Sequence, residues 1–439
     1  MEIGRCPEVK ADVIILFEHK NRELESDLLL AKKLEQRGFS VRLLQLGWDA
    51  DPMSAFIRTS VLVTPWCYDD RNFKRLGYYK GSLPGRSFAI VNTHCEQVTS
   101  KDATEFVVPS GKAKEMYHFA WGQCFKEMLI DAGVEEGCIC VTGSPRLDFF
   151  RPDYSSICAS KRELADKFHL DMTKKWILLI GNFSAAFFSD DRIFQLEKRS
   201  IPSARENRDL SRASMEEIFS WYETMAACYK DEAVEFIYRP HPSEPVSGLA
   251  KSLEKKHLNV HVIKELAIRD WLVNCGAAFM WNSTSSVEAV YAGVPVYALR
   301  PKEIPEHLKF NLLEHLTQLR SEEQLVEAVS DVLNGDSGEV NTEIVEVLEY
   351  YYHKGSISAA DLSADYIEKI ISDPQYTVQT TRPFLYGFLK SIAASAKLIL
   401  KKIGLLEKIP GLEKVSDDYI SRAELNEIRR KIDLLSSET

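Results

Sequence analysis

FMWNSTSSVEAVYAGVPVYALRP, Phe279 to Pro301, is the stretch whose reading decides the fold. It runs as an apolar strand (Ala277 to Trp281), a turn of hydroxyls, a helix from about Ser285, and a Gly-Val-Pro turn into a second strand (Val294 to Leu299). The turn sets Asn282, Ser283, Thr284, Ser285 and Ser286 at a helix N-terminus, at the carboxyl end of a strand. Unpaired backbone N–H groups and the positive end of the helix dipole meet there, which suits a phosphate. Ser285 and Glu288 also fit a capping box, S-x-x-E, which satisfies helix donors with no ligand. Four consecutive hydroxyls, Ser283 to Ser286, exceed what a cap needs.

Upstream, VEFIYRPHPSE (Val234 to Glu244) is a second apolar strand that ends in polar residues. It delivers Arg239, His241 and Glu244 just past the strand end. His241 also reads as a turn histidine bonded to backbone. Two such strand ends in one open α/β sheet face the same crevice, where ligands of this architecture bind.

The rest of the chain has the same rhythm. Strands are expected at Val13 to Phe17, Val41 to Leu46, Ser60 to Thr64, Phe88 to Asn92, Glu105 to Val108, Tyr117 to Ala120 and Cys138 to Thr142. Helices at Glu23 to Arg37 and Gly122 to Ala132 alternate with them, and Gly38 stands where a helix C-cap is expected. A charged segment, Arg151 to Lys175, leads into a second series with strands at Trp176 to Gly181, Val234 to Tyr238 and Asn259 to Ile263. Helices are expected at Arg212 to Tyr229, Val246 to Lys255, Ala267 to Asn274 and Glu322 to Leu333, with further helices at Glu343 to Tyr352 and Ala359 to Ser372. The pattern predicts α/β architecture: two Rossmann-like, doubly wound parallel-sheet domains facing a cleft.

A chain of 439 residues suits two domains plus additions. Its net charge of -10 argues against nucleic acid as a partner. Met1 to Lys10 is polar, the apolar run Val13 to Phe17 is too short for a signal peptide, and no run approaches the ~18 apolar residues of a membrane span. The 9 cysteines show no zinc spacing, so reduced thiols in a cytoplasmic protein are expected. The tail differs. From Phe384 to Lys408, apolar residues alternate with Lys390, Lys397, Lys401, Lys402 and Lys408, and no acid stands between Thr380 and Lys402. This fits a basic amphipathic helix on an anionic lipid surface, or a helix packed on protein. Lys414 to Glu438 reads as a separate charged helix.

The chain resembles bacterial surface carbohydrate biosynthesis proteins of the GT-B glycosyltransferase type. The segments that carry the resemblance are FEHKNRELES (Phe17 to Ser26), VNTHCEQV (Val91 to Val98), AWGQCFKEML (Ala120 to Leu129), VTGSPRLDFF (Val141 to Phe150), YRPHPSE (Tyr238 to Glu244), IRDWL (Ile268 to Leu272) and Trp281 to Pro301. The His-Pro motif with a serine-rich helix start is also similar to transferases that use CMP-sugars (sialic acid, Kdo) and to CDP-glycerol polymerases. The resemblance implies that His241 and Ser283 to Ser286 hold the nucleotide phosphate and that Glu288 accepts from ribose hydroxyls. GlcNAc 2-epimerases share the fold and a phrase like VTGSPRLD.

The implied division is 1–155, an N-terminal acceptor domain; 156–335, a nucleotide-sugar domain; 336–379, bracing helices; and 380–439, a helical tail. The implied function is glycosyl transfer from a nucleotide-activated sugar, with CMP-sugars favoured, to a glycan or lipid-linked acceptor in surface polysaccharide synthesis. The enzyme is expected to be cytoplasmic, at the inner membrane face where the tail binds lipid. A sugar-nucleotide epimerase, a polyol-phosphate transferase and a non-catalytic nucleotide-binding scaffold are the alternatives.

Such a transfer stabilises a leaving phosphate and deprotonates an acceptor hydroxyl. Arg239, His241, Glu244 and the serine turn serve the first task. Glu96, Glu18 and His94, where two N-terminal strands stop at acid and histidine, serve the second. Glu18 also reads as a helix-start charge opposite Arg22, and His94 as a core histidine. Asp69-Asp70 and Asp190-Asp191 are adjacent acids, a weak metal pattern; no metal and no other cofactor is expected.

Overall fold

The computed structural model describes residues 11–18, 20, 23–46, 59–76, 87–95, 108–198, 203–241, 243–336, 342–379, 384–408 and 419–435. The chain forms two compact units, 1–157 with 349–439, and 158–348.

The first unit begins with β1 (Val13–Phe17), α1 (Leu24–Gln36), β2 (Val41–Gln45), β3 (Val61–Thr64), α2 (Asp70–Arg75), β4 (Ser87–Asn92), β5 (Tyr117–Ala120), α3 (Gln123–Asp131) and β6 (Ile139–Val141). These six strands are parallel, in the order β2-β1-β3-β4-β5-β6. β1, β3 and β5 are buried along their whole length, as apolar runs covered on both faces must be.

The second unit contributes α4 (Lys161–Phe168), β7 (Lys175–Ile180), α5 (Asp190–Glu197), α6 (Ala204–Cys228), β8 (Val234–Arg239), α7 (Gly248–Lys256), β9 (Val260–Val262), α8 (Ile268–Leu272), β10 (Ala277–Met280), α9 (Ser285–Tyr291), β11 (Val296–Leu299), β12 (Thr317–Leu319) and α10 (Glu322–Asn334). Its sheet is parallel in the order β12-β11-β10-β7-β8-β9. Phe219, Tyr222, Phe236, Tyr238 and Phe279 anchor a continuous core between sheet and helices. α5 and the first two turns of α6 lie outside the helices read from sequence, because their faces are too polar to show a helical period.

After α11 (Thr342–Tyr351) the chain returns to the first unit. α12 (Ala359–Ser372) packs along α1 through Lys33–Asp361 (3.0 Å) and Arg37–Asp365 (2.7 Å). β13 (Val378–Gln379) pairs antiparallel with the start of β4. α13 (Phe384–Lys402) follows, then α14 (Arg422–Leu434). α14 is docked on the first helix: Lys32 Nζ donates to the carbonyls of Ile432 (2.6 Å) and Asp433 (2.8 Å), and Ile432 is fully buried.

Candidate functional site

The order of the second sheet reverses between β7 and β10, with later strands added outward on both sides. Such a reversal splays the flanking loops and opens a crevice at the carboxyl ends of the two strands. Ile180 lies level with Met280 on one side and with Arg239 on the other. Three loops therefore leave the sheet side by side: Gly181 to Ser184, Pro240 to Glu244, and Trp281 to Ser285.

The floor of this place is rigid. Asn182 Nδ2 donates to the carbonyl of Asn282 at 2.6 Å, and Phe183 stacks on Trp281 with centroids 5.2 Å apart. Asn282 itself has φ 34° and donates its side-chain amide to Leu308 O at 3.1 Å. Position 181 admits only glycine, because a Cβ there would stand 2.5 Å from the Tyr238 hydroxyl.

On this floor sits a cluster of polar side chains. His241 Nδ1 lies 2.7 Å from Ser243 Oγ and 3.2 Å from Ser184 Oγ, and the two hydroxyls are 2.9 Å apart. The backbone N–H of Ser243 also points at His241 Nδ1, at 3.2 Å. An N–H can only donate, so Nδ1 accepts and the ring proton belongs on Nε2. His241 and Ser243 are exposed. The cluster thus offers an oriented N–H donor and two hydroxyls to an acceptor-rich group such as a phosphate.

The structure corrects several sequence expectations. Arg239 is not a phosphate cation. It is 7 % exposed, donates to the carbonyls of Ile263, Glu265 and Leu266, and lies 5.3 Å over the Trp271 ring. Burial lowers its pKa to about 10, against the pull of Asp270 and Glu265. Its five-donor fork pins the loop after β9. Glu244 is fully buried and accepts from Tyr238 Oη (2.6 Å) and the backbone N–H of Phe183 (2.8 Å). It clamps two of the loops together and does not face a ligand; burial raises its pKa despite these bonds.

The serine turn divides. Ser286 is buried and donates to Ser283 O at 3.0 Å, and Ser283 Oγ accepts from the Ser285 N–H at 3.3 Å. Thr284, exposed, is the N-cap of α9 and makes no capping bond, so the capping box expected from Ser285 and Glu288 is absent. Thr284 and the half-buried Ser285 are the hydroxyls that border the crevice. α9 has seven residues, so its dipole is short and the weight falls on the His241 cluster. Glu288 is 8 % exposed, in the second turn of α9.

In the first unit the sheet order turns between β1 and β3. Glu18 ends β1 and accepts from Trp66 Nε1, just past β3, at 2.6 Å. It thus occupies the switch point of its own sheet. Arg22 and Glu96 lie outside the described residues. His94, with φ 49°, is fully buried; its Nε2 is 2.9 Å from Nδ1 of the equally buried His118, and Phe125 meets it edge-on at 4.9 Å. Burial, aided by His118, holds its pKa well below the usual range, and burial takes His118 to about 4. A neutral ring sealed in the core is no acid or base for a substrate, so the catalytic expectation for His94 is withdrawn.

The adjacent acids have structural partners: Asp69 caps α2 by accepting from the Asn72 N–H, Asp70 accepts from the Lys112 N–H, and Asp190 pairs with Arg208 at 2.7 Å. Among the described residues no group of three or more His, Cys, Asp or Glu is placed to hold a metal ion. The sequence reading missed Ser243, although its place two residues after His241 in a Pro-flanked turn is the signal that brings it back to the ring.

No family model matches the chain, and no curated protein matches it. Solved structures do. A Methanocaldococcus jannaschii UDP-GlcNAc 2-epimerase in complex with UDP-GlcNAc and UDP is 12% identical, with a TM-score of 0.51 over 82% of this chain and 100% of that one. A variant of the wall teichoic acid polymerase TagF is 11% identical, with a TM-score of 0.50 over 84% of this chain and 90% of that one. Identities this low speak to architecture alone, and the architecture agrees with the two parallel sheets described above: the chain has a GT-B-like fold of two Rossmann-type domains followed by a helical C-terminal region.

Proposed function

We propose that the chain is a glycosyltransferase of bacterial surface polysaccharide synthesis that takes its sugar from a nucleotide-activated donor. The observation that carries this reading is the His241–Ser243–Ser184 cluster at the carboxyl ends of β7 and β8, beside the switch point of the second sheet. Its donors are already oriented, so they can hold a leaving phosphate with little reorganisation. A neighbour of the same fold is crystallised with UDP-GlcNAc and UDP, which supports a nucleotide-sugar as ligand. A CMP-sugar is favoured over a UDP-sugar on the resemblance of the His-Pro and serine motifs.

The carboxylate that activates the acceptor is assigned to Glu96, then to Glu18. Glu18 stands at a strand end and at the switch point of its sheet. Epimerisation or polyol-phosphate transfer is the second reading, favoured by the neighbours' own activities. Calorimetric titration with CMP, CDP, UDP and GDP tests the proposal. Binding of one of them, with sugar transfer from the matching donor, supports it, and absence of binding by all four sinks it. Formation of an isomeric sugar nucleotide without acceptor establishes the second reading instead.

The tail fits a lipid-linked acceptor. Along α13 the side chains of Leu389, Ile392 and Ile399, with Ile403 just beyond, are each more than half exposed, at spacings that keep them on one face. In the sequence Lys390, Lys397, Lys401 and Lys402 stand among them, and the helix holds no acid. An exposed apolar stripe on a helix rich in lysine and without acids matches an anionic lipid surface. Among the described residues no helix is long and apolar enough to cross a membrane. Leu389→Glu/Ile399→Glu should abolish co-sedimentation with phosphatidylglycerol vesicles. Unchanged co-sedimentation would remove lipid as the partner of this face.

A further inference from the structure

The first unit contains a cavity that the reading above does not use. Its volume is about 50 Å³, against the roughly 10–15 Å³ that admit one water. It lies at the carboxyl ends of β3 to β6, where Thr93, Trp121, Ser144 and Arg146 line it. α1 contributes Asp27 and α12 contributes Ser363. The Arg146 guanidinium lies 5.8 Å over the Trp121 ring, so the wall carries a cation held on an aromatic face.

Two of the lining groups lack partners. Asp27 keeps part of its surface open, yet its Oδ2 is shut off from solvent and makes no hydrogen bond. Ser363 is 1 % exposed, and its Oγ makes none either. Each such group costs about 1–3 kcal/mol of stability. Here two of them, a carboxyl and a hydroxyl, line one cavity from neighbouring helices. Water alone is a poor account of the pair. Burial first, and the charge of Glu23 second, hold the pKa of Asp27 well above the carboxylate range, which favours the neutral acid, a group that both donates and accepts. Groups retained at a cost in stability are those that a ligand needs.

We propose that this cavity binds the hydroxyl-bearing end of a sugar or polyol, with Asp27 accepting from one hydroxyl and Ser363 Oγ donating to another. The assignment rests on the sugar-handling reading and deepens it, by giving the first unit a site for part of a sugar ligand. The second unit's nucleotide cluster provides the internal control.

The test uses the full chain, wild type beside Asp27→Leu and Ser363→Ala. Saturation-transfer NMR is recorded with methyl β-glucoside, methyl β-galactoside, methyl N-acetyl-β-glucosaminide and glycerol as probes. CMP and UDP titrations and thermal melting are run in parallel. The expected result is saturation of at least one probe by the wild type, a loss of tenfold or more in its affinity for Asp27→Leu, which has no acceptor, a smaller loss for Ser363→Ala, and unchanged nucleotide binding. The melting temperature of Asp27→Leu at pH 7 should rise.

Silence of all four probes with the wild type overturns the inference, as does probe binding that neither substitution alters. A fall in melting temperature with unaltered probe binding shows a structural water site instead. If wild-type nucleotide binding is present while the probes are silent, the inference alone has failed. If neither nucleotide nor probe binds, the functional reading has failed with it.

Discussion

Asn182 donates its side-chain amide to the main-chain carbonyl of Asn282 across 2.6 Å, and the two residues stand 100 positions apart in the sequence. The bond spans the point where the second sheet changes direction, so it sets the spacing of the two loops that border the crevice. The loop after β7, which carries Ser184, is thus tied on its β10 side before any ligand arrives.

His241→Ala should weaken nucleotide binding by roughly 1.5–3 kcal/mol, the scale of a hydrogen bond to a charged group. Ser243→Ala should have a smaller effect, since it removes one of the groups that orient the ring. Calorimetric titration of the folded variants measures both. Equal affinity in wild type and His241→Ala would remove His241 from the site.

For Arg239 the expectation is the reverse of a ligand contact. Arg239→Lys loses the fork that reaches three carbonyls and leaves buried acceptors unpaired, at about 1–3 kcal/mol for each. Denaturant melts should register a large loss of stability, while nucleotide affinity in the fraction that folds stays within twofold. A selective loss of nucleotide binding at full stability would return Arg239 to the site.

The buried histidine pair predicts an acid-sensitive fold. In the folded protein His118 titrates at about 4 and His94 is also lowered, while unfolded histidine takes its proton near 6.5. Between those values the unfolded state binds more protons, so stability rises with pH there. It is complete above about pH 6.5 and is lost as pH falls toward 4. His118→Gln should flatten this slope in a series of melts from pH 7 to 4.5. An unchanged slope would mean that other groups set the acid limit.

Glu96→Gln keeps shape and removes basicity, so transfer should fall by ~10²–10⁴-fold, with nucleotide affinity nearly constant. Glu18→Gln is the second variant, and its Trp66 contact should persist through the amide oxygen. Single-turnover assays with the matched donor decide between them. Near wild-type rates in both variants would shift the search to Asp27.

The central strands were legible because they are apolar runs bounded by turn residues, as in Trp176 to Gly181 and Ala277 to Trp281, whereas β12 and β13 are too short and polar to stand out, and residues 105–107 of the strand expected at Glu105 to Val108 lie outside the described residues. The serine turn and the His-Pro turn were legible as places for the same reason. What could not be read was the direction of a side chain at a strand end. Arg239 closes β8, and its fate is set by carbonyls at 263, 265 and 266, which only the fold brings near. Glu244 and Tyr238 are six positions apart, yet their bond depends on the loop after β7, some sixty residues earlier. The long start of α6 was invisible because Ala204 and Leu210 are its only apolar residues before Arg212, too few to show a period, although both face the fold.

The seat of Lys32 on the last turn of α14 has a consequence for biosynthesis. The two partners are 400 residues apart. At the usual rates of translation, about 5–20 residues per second, roughly 20–80 s separate their emergence from the ribosome. During that interval α1 stands first without α12 and then without α14, while the second unit, contiguous from 158 to 348, is complete and free to fold. The first unit to be made is thus the last to be finished, and a chain stopped short of residue 422 leaves the ribosome with α12 on its first helix but the seat at Lys32 open.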